Sequence, residues 1–243
     1  MAYKHRIENG RADSRNFAVG RLVHSLVFEP DTVNDRYAIW DGGIRRGKDW
    51  DAFKEERSPR TIVDQKEIAE CRAMAQAVLK NEIVSSYRRG GQFERAIFWR
   101  DSATGLRCKA RPDWINEERR TLIDLKSCLS IEERMFGKVA ARYGYHCQLA
   151  HYANGIETVL GWKPAEVMIV AVEKEAPHDV AVFDLSEDEM WAGAEEVAEL
   201  LGKVERCQRL EEWPGRYEDK RPLHLPAWVF PSESLDDYGL QVG

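Results

Sequence analysis

Apolar and polar positions alternate along this chain in two rhythms. In "RNFAVGRLVHSLVFEP" the rhythm is helical: Val19, Leu22, Val23, Leu26 and Val27 share one side, and Pro30 ends the run. "YAIWDGGIRRGKDWDAFKEE" clusters glycines and charges and reads as a basic, aromatic loop. Asp64 followed by Glu67 is a capping-box pattern. It predicts a helix to about Leu79 that continues brokenly toward Tyr87 and stops at Gly90-Gly91. The period then drops to two: "QFERAIFWR" (92–100), "LRCKARPDWI" (106–115) and "TLIDLK" (121–126) are predicted strands, separated by "DSATG" and "NEERR". Helical patterns return in "SIEERMFGKVAARYG" and "YHCQLAHYANGIETVLG". "AEVMIVAVEK" (165–174) is a buried-type strand with "DVAVFDL" as its partner, and Ser186 with Glu189 caps a long amphipathic helix before an irregular tail. The centre therefore runs α-β-β-β-α-β.

Composition narrows the class. The chain has 243 residues, 43% hydrophobic and 32% charged, which suits one soluble globular domain with an ample core. No apolar run approaches the ~18 residues that span a bilayer, and no charged-then-apolar segment follows Met1, so a cytoplasmic protein without a membrane partner is expected. The five cysteines are scattered, with no C-x-x-C, and predict neither a disulfide framework nor an iron–sulfur or structural zinc site. Cys128, His146, Cys147 and His151 in particular match no common zinc spacing. Net charge is −6, but residues 1–126 hold 25 Lys and Arg against 20 Asp and Glu, whereas 127–243 hold 11 against 22. The basic half is compatible with a local phosphate-binding surface.

That half also contains the oddest charges. In "ARPDWINEERRTLIDLKS" two carboxylates and a lysine occupy strand positions marked as half-buried by Trp, Ile and Leu. Buried charges are costly unless they pair, bind metal or serve a site. A hairpin turning at Glu118-Arg119 would set Asp113 opposite Asp124, about 5 Å apart at Cβ, with Lys126 on the same face. Trp114, Ile123 and Leu125 would face the other way. Two facing carboxylates repel unless a cation lies between them, and Mg²⁺ is the natural oxygen-seeking occupant. In the following helix, Gln148 and Tyr152 share a face at i, i+4, with Tyr145 one turn earlier.

Together these pieces resemble the PD-(D/E)xK nuclease superfamily, and within it the RecE/exonuclease VIII-type phage recombination exonucleases, relatives of the RecB nuclease domain. The resemblance is carried by "GRLVHSLVFEP", "WDGGIRRGKDWDAF", "FWRDSATGLRCKARPDWI", "LIDLKS", "YHCQLAHY" and "LPAW", which run from about residue 17 to 230. It implies an α/β, restriction-endonuclease-like core with a central mixed sheet flanked by helices, plus extra N- and C-terminal helices. One nuclease domain would span 1–243, with an N-terminal helix and basic loop over about 1–60, a catalytic core over 61–185 and a C-terminal helix and tail over 186–243. Asp113 and Asp124 would bind metal, with the Leu125 carbonyl and His24 as further ligands. Lys126 would orient or activate the attacking water, and Gln148 and Tyr152 would support the site. Glu94, on the first predicted strand, could aim toward the metals or pair with Arg95 or Lys109.

The implied reaction is Mg²⁺- or Mn²⁺-dependent hydrolysis of linear double-stranded DNA from its ends, 5′ to 3′. It would leave 3′ single strands for a single-strand annealing protein, in a bacterial or phage-infected cell. A homo-oligomeric ring, trimer or tetramer, is implied for processivity. An endonuclease or repair nuclease of the same fold, or a silent DNA-binding protein, are the alternatives. A Lys126 beside cations is expected to have a lowered pKa. Arg45, Arg46, Lys48 and Arg111 are candidate phosphate contacts, with Trp40 and Trp50 available to wedge or stack on an unpaired end. Gly42 to Lys48 matches G-x-x-x-x-G-K, but Asp49 stands where a phosphate loop needs Ser or Thr, and neither a preceding strand nor a following helix is evident. An ATP-independent enzyme is therefore expected.

Overall fold

Two compact units make up the chain, one of Ala12–Arg206 and one of Met1–Arg11 with Cys207–Gly243. The computed structural model describes residues 2–9, 15–215, 217 and 219–229, so the end of the predicted tail, 230–243, lies outside the described residues. The smaller unit contributes helix α1 (Ala2–Asn9) and a short 3-10 turn at Ala227–Val229. All the predicted site residues lie in the larger unit.

Its centre is a sheet of five described strands in the order β3 (Gln92–Phe93), β6 (Trp114–Asn116), β7 (Thr121–Cys128), β8 (Glu166–Glu173), β9 (Val180–Asp184). β7 and β8 run parallel and the other pairs antiparallel. A parallel pair needs a crossover, and it is made by α7 (Glu133–Tyr143) and α8 (Tyr145–Leu160). Gly144 joins these two helices in the left-handed conformation (φ 66°), which costs glycine no Cβ clash.

Both faces of the sheet are covered, because alternate residues of β7 and β8 point to opposite cores. Ile123, Leu125, Met168 and Val170 pack with α2 (Arg15–Phe28) and α5 (Gln65–Lys80) through Leu22, Val23, Met74 and Val78. Leu122, Val167, Ile169 and Ala171 pack with Leu149, Ala153 and Ile156 of α8. This is the mixed, helix-flanked α/β sheet expected from the sequence. The Asp64–Glu67 capping box forms, with both reciprocal hydrogen bonds at 2.8 Å, and opens α5. The broken continuation is α6 (Glu82–Tyr87), and Ser186 with Glu189 caps α9 (Glu187–Leu210).

Three local expectations need correction. The loop assigned to 37–56 contains a strand, β1 (Tyr37–Trp40), and nearly all of a helix, α4 (Lys48–Arg57). β1 pairs in parallel with β2 (Thr61–Asp64), also unforeseen. Four residues are too few to declare a period, and α4 buries none of its own side chains, so neither shows in the apolar pattern. The predicted strand 92–100 splits at Glu94, whose φ of 51° turns the chain out of the main sheet. Beyond it β4 (Ile97–Arg100) pairs with β5 (Arg107–Ala110) in a separate ribbon. The predicted strand 106–115 splits likewise between β5 and β6, where Pro112 has no N–H to give a ladder.

Candidate metal centre and its surroundings

The hairpin register follows the pattern read from the alternation. Trp114 pairs with Ile123, Ile115 with Leu122 and Asn116 with Thr121, which brings Asp113 level with Asp124 just past the last paired residues. Asp113 uses Oδ2 to accept the Leu125 amide proton at 2.8 Å, and its Oδ1 stands 3.2 Å from His24 Nδ1. The other His24 nitrogen, Nε2, lies 2.8 Å from the Leu125 carbonyl. His24 reaches this point from α2, which Leu22, Val23 and Val27 press against the Leu125 face of the sheet.

Glu94 completes the cluster. Its backbone N–H donates to the Asp113 carbonyl at 3.0 Å, the last bond before the φ reversal, and its Oε1 then lies 4.0 Å from His24 Nδ1. A non-glycine residue at positive φ costs about 1–3 kcal/mol and persists only where its surroundings hold it. The pairing options read from sequence are corrected here: Glu94 pairs with Arg111, Nε to Oε2 at 2.8 Å, while Arg95 donates to Gln92. Arg111 also reaches Glu29 at 3.3 Å, which holds Arg36 through two bonds at 2.6 and 3.1 Å. Glu29 escaped sequence reasoning, since nothing in its spacing marks a residue before Pro30 as facing position 111.

Asp124, Lys126, Gln148 and Tyr152 meet on the α8 side of β7, near enough to Asp113 and His24 for their charges to interact. Asp124 is 1% exposed; its Oδ1 accepts from Gln148 Nε2 at 3.0 Å and its Oδ2 is ion-paired with Lys126. Lys126 Nζ also donates to Gln148 Oε1 at 3.2 Å and sits 4.8 Å from the centre of the Tyr145 ring. Gln148 Nε2 further donates to the Tyr152 hydroxyl at 3.0 Å. One glutamine thereby fixes both members of the ion pair.

Charge is crowded here, and the pKa directions show it. Burial, then Asp113, pushes Asp124 up to about 6; the same two causes push Glu94 up to about 6. For His24 burial acts downward, but the Asp113 and Asp124 carboxylates outweigh it and raise the imidazole. Lys126 is also raised, because Asp124 and Asp113 outweigh its burial. This reverses the expected lowering, which presupposed a cation drawing the carboxylates away from the ammonium.

These residues fit a hard divalent ion. One ligand atom each from His24, Glu94 and Asp113 lies within 4.8 Å of the others, with the Leu125 carbonyl against the imidazole. Carboxylates and a carbonyl are the donors that Mg²⁺ and Mn²⁺ prefer, and an imidazole suits Mn²⁺ as well. The two carboxylates pushed toward neutrality are a standing electrostatic deficit that a cation would relieve.

The candidate DNA-contacting residues separate into groups. Arg45 is tied to the α5 capping box, 2.7 Å from Glu67 and 3.2 Å from Asp64, so its charge is already matched. Trp40 is buried under Trp50 and Phe53, with ring centres 5.4 and 5.0 Å away, and cannot wedge into an unpaired end. Trp50 is half-buried, whereas Arg46 and Lys48 are exposed. Arg111 is spent on Glu94 and Glu29. A strand does precede Gly42 and a helix does begin at Lys48, contrary to expectation. Asp49 and Asp51 nevertheless make the first turn of that helix acidic, a poor cradle for phosphate.

A Eubacterium rectale protein provisionally named an exonuclease has a crystal structure that superposes with a TM-score of 0.63 at 17% identity, covering 97% of this chain and 85% of that one. At that identity the likeness concerns the fold. A second solved structure, SSO0001, covers 82% of this chain at 15% identity with a TM-score of only 0.32. No curated protein matches the chain. The family model described as a PDDEXK-like domain of unknown function, DUF3799, matches residues 1–221. The chain belongs to this PDDEXK-like family.

Proposed function

We propose that this protein is a metal-dependent, ATP-independent deoxyribonuclease that degrades linear double-stranded DNA from its ends, 5′ to 3′. The observation that carries the reading is the convergence of His24, Glu94 and Asp113 beside the Asp124–Lys126 pair, in a chain of a PDDEXK-like family. Asp113, Asp124, Glu94, His24 and the Leu125 carbonyl would hold Mg²⁺ or Mn²⁺. Such an ion, when bound, offsets charge on the scissile phosphate and acidifies an attacking water. Lys126, kept protonated by its carboxylates, serves to orient that water and to stabilise negative charge building on the phosphate oxygens. Gln148 holds the lysine in place, and Tyr152 holds Gln148.

The exonuclease choice over an endonuclease is supported by the resemblance to RecE-type enzymes and by the name of the Eubacterium rectale structure. Products with 3′ single strands would pass to a single-strand annealing protein, and a ring of subunits, trimer or tetramer, would keep the enzyme on its duplex. The setting would be the cytoplasm of a bacterial or phage-infected cell; no helix among the described residues is long and apolar enough to cross a membrane.

Duplex DNA labelled separately at each 5′ and 3′ end, digested with Mg²⁺ and without ATP, tests the reading. Early release of 5′ label with closed circles left intact is expected. Early release of 3′ label would overturn the polarity, and cleavage of unnicked circles would overturn the exonuclease assignment.

A further inference from the structure

A second cluster of metal-binding side chains lies outside this site. His146 and Cys147 lie in the first turn of α8, and Glu196 stands on α9 above them. Cys147 Sγ is 3.4 Å from His146 Nε2 and 3.2 Å from Glu196 Oε2, and His146 Nε2 is 3.7 Å from the same oxygen. A tetrahedral zinc with sulfur at ~2.3 Å and nitrogen or oxygen at ~2.0 Å places its ligand atoms about 3.3–3.6 Å apart. The three separations bracket that range without any rearrangement of the helices.

The approach of the helices is built into the sequence. A Cβ at Gly193 would meet the His146 carbonyl oxygen at 2.5 Å and the Cys147 nitrogen at 3.0 Å, so only glycine lets α9 rest on this turn. Glu196 lies three residues further along α9, on the same side of the helix as Gly193. Chain spacing concealed the set, because the third ligand comes 49 residues after Cys147. The sequence-adjacent alternatives go elsewhere: Cys128 Sγ contacts the Val172 carbonyl at 3.5 Å, and the His151 ring packs on Trp99 at 4.7 Å.

We infer that His146, Cys147 and Glu196 form a zinc site, separate from the magnesium-type centre, that clasps α9 to the first turn of α8. Thiolate and imidazole donors select Zn²⁺ over Mg²⁺ or Ca²⁺. Three protein ligands leave the fourth position to water, and the thiol proton passes to solvent on binding. The clasp touches the turn that also carries Tyr145 and Gln148, so zinc would steady the helix beneath Lys126.

Cobalt substitution tests this without reference to nuclease activity. The full-length protein, titrated with Co²⁺, should develop a thiolate-to-cobalt charge-transfer band that saturates at one equivalent and is erased by Zn²⁺. Cys147→Ser should abolish that band, and Cys207→Ser should leave it intact. Glu196→Gln, at an exposed position, should keep the fold and weaken Zn²⁺ binding about tenfold or more. Absence of the band at stoichiometric Co²⁺, its survival in Cys147→Ser, or unchanged Zn²⁺ affinity in Glu196→Gln would each overturn the inference. The oxygen-rich centre at Asp113 has no thiolate and cannot imitate the signal.

Discussion

Asp113 accepts the Leu125 amide proton at 2.8 Å, so one carboxylate oxygen is anchored to the backbone of β7 and the other faces His24. A side chain placed in this way couples the shape of the hairpin to its charge.

The coupling separates two substitutions. Asp113→Asn keeps an acceptor for the Leu125 N–H but loses the charge, and should retain the melting temperature while losing nuclease activity by about a hundredfold or more. Asp113→Ala loses both, and should also destabilise by about 1–3 kcal/mol, the cost of a buried unpaired N–H. Thermal unfolding alongside a digestion assay distinguishes them; equal stability losses would show that the anchor has no structural role.

Gln148 should prove more important than its neutral side chain suggests. It bridges Asp124, Lys126 and Tyr152, so Gln148→Ala should lower kcat about ten- to a hundredfold with little change in KM. Tyr152→Phe removes only the acceptor that holds Gln148 and should cost less. A kcat loss in Tyr152→Phe exceeding that in Gln148→Ala would contradict this hierarchy.

The raised carboxylates give the site a pH signature. Glu94 and Asp124 at about 6 exceed their unfolded values near 4, so the folded state binds more protons between these limits. Without a divalent ion, the stability these two groups contribute is therefore complete below about pH 4 and lost as pH rises through about 6. Cation binding needs the deprotonated forms, so Mg²⁺ or Mn²⁺ should raise the melting temperature little at about pH 5 and strongly at about pH 8. Differential scanning fluorimetry with and without the ion reads this directly, and a pH-independent shift would count against the carboxylate ligands.

Arg111 neutralises Glu94 and Glu29. Arg111→Gln should therefore move the acidic limb of the rate profile upward, because Glu94 would hold its proton longer, while KM for DNA stays near the parent value. A large KM increase that disappears at low salt would assign Arg111 to phosphate instead.

The loop cations should divide along the lines of their contacts. Arg45→Ala removes a charge-assisted partner of the α5 cap and should cost about 1–2 kcal/mol of stability. Arg46 and Lys48 are exposed, and their joint replacement by alanine should weaken DNA binding and flatten its salt dependence without changing stability. Chemical denaturation and binding titrations at two salt concentrations resolve the two effects.

Much of this arrangement was legible in the sequence because its signals were local. The register of Asp113 against Asp124 follows from alternation and turn position, and the Asp64–Glu67 cap from a four-residue pattern. What escaped the local pattern was set by distant contacts. His24, named through the family resemblance and not through any local pattern, meets Leu125 across 101 residues of chain, and Glu29, which nothing pointed to, meets Arg111 across 82. Glu94 turns out of its strand because Asp113, His24 and Arg111 hold it there, although its neighbours alternate as a strand should. β1 and α4 were hidden for the opposite reason, one being too short and the other too exposed to leave a period.

The site is assembled from one helix near the start of the unit, the bend at Glu94 after β3, both arms of a hairpin and a crossover helix ending at Leu160. During synthesis the hairpin can close early and meet His24 of α2, yet it lacks the Gln148 tether until α8 has emerged and docked. On the nuclease reading proposed above, a half-made chain, still without that tether, would not yet cleave DNA.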